Sequence, residues 1–144
     1  GLKKAMDSLS FPLLKKYLYL DYLFMGLEGL EKENHFDKIL NKMIDKTNLN
    51  QKLPDEKIVS EVKVSSQLSI FLLNTKVVKQ PAVGINIIKG LTLTEDRLEI
   101  VIAFKSETML NDLLVEVFSL ATHKELFERL TQVKTLLELE EVLI

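Results

Sequence analysis

The sequence has no cysteine and no tryptophan, and its 144 residues include only five glycines and three prolines. Without cysteine there are no disulfides and no thiolate metal sites, which fits a reducing compartment, and we expect a cytoplasmic protein. Arginine is nearly missing too: Arg97 and Arg129 stand alone among many lysines. That bias, with frequent Asn and Ile, suits an AT-rich bacterial genome. No charge of one sign dominates. The formal net charge is −2, so no basic field draws nucleic acid, and any such binding falls to another part of the protein. No apolar run approaches the roughly 18 residues of a membrane span, so no membrane contact is expected. The start, Gly1-Leu2-Lys3-Lys4, lacks the apolar core of a signal peptide and also an initiator Met, so we expect a piece of a longer protein.

What is present is enough for one domain. A chain of this length buries roughly two-thirds of the surface its unfolded form exposes, so it needs no staples. Its centre is residues 68–104. Three short runs rich in Ile, Val, Leu and Phe lie there, at 69–73, 83–88 and 98–104, each bounded by Asn, Pro, Gly or charge. Such runs read as strands buried on both faces, which need helices over both. Pro81 lacks a backbone donor, so it belongs in a connection or at a strand's first residue. Gly90 and residues 94–97 mark turns, and 105–108 a break.

Helices flank this centre. Ser10 and Pro12 read as the cap and first turn of a short helix running to about Lys16, and a strand follows to about Leu27. Asn34 reads as the cap of a longer helix. In it Phe36, Ile39, Leu40, Met43 and Ile44 fall on one stripe, and Asn48 and Asn50 break it. Leu53-Pro54-Asp55-Glu56 opens a further expected helix, with Ile58, Val59 and Val62 as its apolar face and Ser65 and Ser66 as its end. After the strands, Leu110, Leu113, Leu114, Val117 and Leu120 form a stripe that Thr122 and His123 break. A short helix follows over 124–130, with Leu126, Phe127 and Leu130 apolar. A last one spans 135–143, with Thr135 and Glu138 in a capping-box pattern. The fold class is therefore α/β: a mixed sheet of four to five strands with helices on both faces. Residues 1–17 read as a linker and short helix, and 18–144 as the domain.

Chemistry is thinly marked. There is no Gly-rich phosphate loop, no His-x-x-x-His pair and no Gly-x-Ser-x-Gly. His35 and His123 each sit near a helix start and read as surface residues, since metal and catalytic histidines come with partners. The acidic groups Glu31/Glu33, Asp55/Glu56 and Glu138/Glu140/Glu141 read as dipole support and solvated charge. No metal and no cofactor is implied. The remaining candidate lies where the first central run stops, at Asn74, Thr75 and Lys76, with Lys79 further along. Strand ends in open α/β sheets are where reacting groups sit. Against that, Asn suits a turn in its own right and lysines suit a solvated loop, and for each residue the plain reading outweighs the chemical one.

The order of elements, together with residues 68–74, 78–81, 85–91, 100–104, 110–120 and 127–130, resembles a known family. Phe-Glu-Arg-Leu followed by Leu-Glu-Leu-Glu-Glu-Val-Leu matches its ending. The family is the enzyme IIA domains of the mannitol–fructose class of the bacterial sugar phosphotransferase system. The likeness is greater still to their degenerate versions at the C-terminus of PRD-containing transcriptional regulators. The resemblance implies that the strand over 68–73 should end at a phosphorylated histidine. Asn74 stands there, and Leu110 or Asn111 stands where the assisting histidine belongs. Asn has no ring nitrogen to phosphorylate.

The expectation is thus a non-catalytic regulatory domain, not an enzyme, from a bacterial regulator of carbohydrate uptake or metabolism. It would act through other domains of the same regulator, phosphotransferase-system proteins or a homodimer, with Thr75, Lys76 and Lys79 as interaction loop. The alternative is a true phosphocarrier that takes phosphate on His35 or His123 from the histidine-containing carrier protein. A third reading is an adaptor unrelated to sugar transport.

Overall fold

The computed structural model describes residues 10–27, 32–46, 48–50, 58–73, 75–92 and 95–143, with backbone alone at 19–27, 32–37, 58–59 and 136. Among the described residues, five strands form one sheet in the order β1-β4-β5-β3-β2. They are β1 (Leu18–Leu27), β2 (Ile58–Lys63), β3 (Leu68–Leu73), β4 (Ala82–Lys89) and β5 (Arg97–Ala103). β1 runs parallel to β4 and β3 parallel to β5, while β4/β5 and β2/β3 are antiparallel, so the sheet is mixed. The helices are α1 (Pro12–Tyr17), α2 (Lys32–Asp45), α3 (Glu107–Thr122), α4 (Lys124–Thr131) and α5 (Leu136–Val142). None of the described helices is long and apolar enough to cross a membrane.

The period-2 alternation of strand side chains sorts the apolar residues into two cores. Leu68, Ile70, Val83, Ile85, Ile87, Leu98, Ile100 and Ile102 face one side. There they meet Phe11 and Leu14, then Leu113, Val117 and Leu120 of α3, Phe127 and Leu130 of α4, and Leu139 of α5. Leu73, Ala82, Val101 and Ala103 face the other side and meet Ile39, Leu40 and Met43 of α2. The expected helices over both faces are present, with α2 on one side and α1, α3, α4 and α5 on the other. Phe11 and Leu14 belong to the same core as the later helices, so the short N-terminal helix is packed into the domain it precedes.

Several local expectations need correction. The helix expected to open at Leu53 and run to Ser65 is instead an edge strand over its described part, β2, paired antiparallel with β3. Val62 and Val64 are two residues apart and pack on the same core, which is strand spacing, and the β-branched pair Ile58-Val59 favours it. Ser65 and Ser66 make the hairpin turn: the Val64 N–H donates to the Leu68 carbonyl at 3.0 Å, and the Gln67 N–H to Ser65 Oγ at 3.1 Å. The stretch 51–57 lies outside the described residues.

Asn34 does not cap α2, which begins at Lys32. Thr108 lies inside α3, whose cap is Ser106, accepting from the Met109 N–H at 3.2 Å. Arg97 belongs to β5 and not to the turn before it. Thr135 does cap α5 through the Glu138 N–H at 3.1 Å, but the Glu138 carboxylate reaches back one residue further than a capping box, to the Lys134 N–H at 2.8 Å.

Ser10 does not cap α1 either. Phe11 holds the cap position without a side-chain bond. The missing cap comes from far along the chain. Glu116 of α3, only 8% exposed, accepts the Leu13 N–H at 3.1 Å and the Leu14 N–H at 3.0 Å. A carboxylate there answers the unpaired N–H groups and the positive end of a helix. Burial nevertheless pushes its pKa up from the ordinary 4.5, with Asp112 adding to the rise and the two N–H bonds opposing it. A raised folded-state pKa means the folded protein holds this proton more tightly than the unfolded chain. Its stabilisation is full below 4.5 and is lost as pH rises through the folded-state value. In urea unfolding across pH 4 to 8, the wild type should therefore lose stability relative to Glu116→Gln as pH rises from about 4.5. Parallel pH profiles for the two proteins would show that burial does not govern this carboxyl.

Candidate functional site

β3 and β5 run parallel, so their C-terminal ends open on the same edge of the sheet. The candidate loop lies there. Asn74 itself falls outside the described residues. A 3-10 turn, Thr75–Val77, follows, and then Val78 to Pro81 lead into β4. Val77 and Val78 are buried, 1% and 3% exposed, and anchor the loop in the α2-side core. Thr75, Lys76 and Lys79 are exposed.

The loop is held by a short segment just past α2. Leu49 bridges Val78 in antiparallel fashion, and the Asn50 N–H donates to the Val77 carbonyl at 2.8 Å. The Asn48 carbonyl accepts from the N–H groups of Lys79 (2.8 Å) and Gln80 (3.1 Å). The Asn48 carboxamide donates to the carbonyls of Gln80 and Pro81 at 3.3 and 3.2 Å, and that of Asn50 to the Lys76 carbonyl at 3.0 Å. From β5's end, Lys105 Nζ donates to the Val78 carbonyl at 3.0 Å. Asn48 and Asn50, read from sequence as helix breakers, are thus the clamp of the β3 exit loop. The signal available was the Asn-Leu-Asn alternation, which is too short to name its partner.

The other sequence candidates lie on other elements. Leu110 is half-buried and packs on the opposite core from Val77 and Val78, while Asn111 is exposed on α3. His35 lies in α2, its side chain outside the description. His123 is exposed at the corner between α3 and α4, with Nδ1 at 2.7 Å from the Ser119 carbonyl and 3.2 Å from Thr122 Oγ1. Neither histidine lies at a strand end. Among the described residues, no three His, Asp or Glu side chains converge as a metal site.

Two features escaped the sequence reading. At the other edge of the sheet, Asp96 is 2% exposed and joins three elements. It accepts from Lys89 Nζ at 2.7 Å, the Gly90 N–H at 2.9 Å and Gln132 Nε2 at 3.1 Å, and its carbonyl accepts from Gln67 Nε2 at 2.8 Å. Lys89 Nζ also donates to the Thr131 carbonyl at 3.1 Å. A side chain on Gly90 would collide with Glu95, so this hairpin is built shut. The second feature is an open groove of about 600 Å³ between α4 and α5, with Val133 and Val142 in its lining and Glu125, Glu128, Glu138 and Glu141 around them.

The clamp gives a direct test. Asn48→Ala leaves the carbonyls of Gln80 and Pro81 without the carboxamide donor, at an expected cost of about 1–3 kcal/mol in urea unfolding. Amide exchange at Lys79 and Gln80 should accelerate beyond that global change, while β4 amides follow it alone. Equal acceleration in the two places would mean that the loop is not separately held.

No protein-family model and no curated protein sequence matches the chain. Among solved structures, it is similar to a protein assigned as a PTS IIA (PtxA) from Streptococcus mutans. The TM-score is 0.61, the likeness covers 90% of this chain and 88% of that one, and 11% of the residues are identical. The chain therefore has a fold like that of phosphotransferase-system IIA proteins.

Proposed function

We propose that this chain is a non-catalytic IIA-like domain of a bacterial transcriptional regulator of carbohydrate uptake or metabolism, acting by protein–protein interaction. One observation supports this reading above the rest. The fold is IIA-like, yet Asn74 follows directly on β3, where the family resemblance calls for the phosphorylated histidine. A carboxamide nitrogen shares its lone pair with the carbonyl and is no nucleophile, whereas phosphoryl relay needs a neutral imidazole. Leu110 and Asn111 supply no second imidazole. The β3 exit loop is left as a rigid, exposed, positively charged element suited to contact. Its partners would be other domains of the regulator, a second copy, or phosphotransferase-system proteins.

The rival is a phosphocarrier that uses another histidine. The exposure of His123 favours it. Its place at a helix corner, with Nδ1 against the Ser119 carbonyl, weighs the other way. One assay separates the two readings: incubation with phosphoenolpyruvate, enzyme I and the histidine-containing carrier protein, followed by intact mass. No adduct is expected while an active IIA protein labels in parallel. An acid-labile adduct that His123→Gln or His35→Gln abolishes would replace the proposal with the carrier reading.

A further inference from the structure

The chain has net charge −2, yet lysines gather at the β3 exit edge. Lys76 and Lys79 are exposed on the clamped loop, and Lys105 projects from the end of β5 onto the Val78 carbonyl while remaining exposed. Lys42 and Lys46 are exposed at the end of α2. The hydrogen bonds of Asn48 and Asn50 bring that end against the same loop, because Asn48 is two residues past Lys46 and bonds Lys79. Among the described residues of these segments, the acidic side chains are Asp45 and Glu107. The helix dipole accounts for cations at the end of α2. Lys76, Lys79 and Lys105 belong to other elements, so the lysines come from separate segments of the chain.

We infer that this edge is a docking surface for an acidic, carboxylate-rich segment of a partner protein. The inference rests on the interaction-module reading above and names its partner chemistry. Three observations select this occupant. First, three of the loop's N–H groups are spent: Val78 donates to the Thr75 carbonyl, and Lys79 and Gln80 donate to the Asn48 carbonyl. No backbone cradle remains at those positions for a phosphate. Second, the charges are lysines and not arginines. They are point charges on long stems that match a spread of carboxylates better than one bidentate group. Third, the clamp fixes the backbone from which Lys76 and Lys79 project, so less ordering is needed when a partner docks. Nucleic acid fits less well, because the chain as a whole is acidic and would repel an extended polyanion beyond the patch.

The test uses the whole chain and a fluorescein-labelled poly-glutamate peptide, read by fluorescence anisotropy. Binding is expected at low salt and should weaken between about 50 and 300 mM salt as charges are screened. Lys76→Glu with Lys79→Glu should weaken it about tenfold or more, since several surface ion pairs turn repulsive. Lys124→Glu with Lys134→Glu, exposed charges on the groove side, should leave it within about twofold. Unchanged thermal melts would confirm that both double variants are folded. No binding, or equal loss in the two variants, would overturn the inference. So would displacement of the peptide by inorganic phosphate at similar concentration, or tighter binding of a short DNA duplex through the same lysines. This outcome is independent of the phosphorylation assay: an adduct there overturns the non-catalytic reading alone, and failed peptide binding overturns only the docking surface.

Discussion

From Ala82 to Ile88, β4 has no solvent side, and Asn86 lies within it at 1% exposed. A strand sealed on both faces forces the architecture around it. It must have a strand on each side, here β1 and β5, to satisfy its backbone, and it must have helices above and below to exclude water. Asn86 is tolerated because its carboxamide donates to Glu99 Oε1 of β5 at 3.0 Å. The two cores follow from that constraint.

The two edges of the sheet are finished differently. At the Asp96 edge, a buried carboxylate, a lysine, a glycine that admits no side chain and the end of α4 close on one another. Charge there is neutralised inside the structure, and breaking such a pair leaves an uncompensated buried ion. At the β3 exit edge, Asn48, Asn50 and Lys105 bond the loop backbone, and Thr75, Lys76 and Lys79 are exposed. Rigid backbone beneath exposed side chains is the arrangement that loops use for recognition. Asn74, which follows β3 in the sequence, has no imidazole.

Glu116 shows how distant parts of the chain finish one another. α1 is a six-residue helix with no cap of its own, too short to persist alone. Its N-terminus is completed by a carboxylate more than one hundred residues later, which is why Ser10, a good local cap, is not used. α1 is therefore held by tertiary contact through Phe11, Leu14 and Glu116.

Elements whose pattern is local and strong were legible in the sequence. The three central strands, the stripe of Ile39, Leu40 and Met43, the stripe of Leu113, Val117 and Leu120, and the Thr135 cap are all visible in period and composition. These features repeat every two or every three to four residues, and each needs only its own segment to be recognised. The sequence also shows the absence of cysteine and of a histidine after β3. Tertiary structure alone decided the rest. Whether 58–63 is helix or strand depended on β3 lying beside it, because six residues with three apolar ones among them carry too little period to choose. The roles of Asn48, Asn50, Asp96 and Glu116 depended on partners from 6 to more than 100 residues away. A polar residue's hydrogen-bond partner across the fold leaves no trace in its neighbours. The gathering of lysines from α2, the β3 exit and the end of β5 arose in the same way, from chain reversals that bring separate segments to one edge.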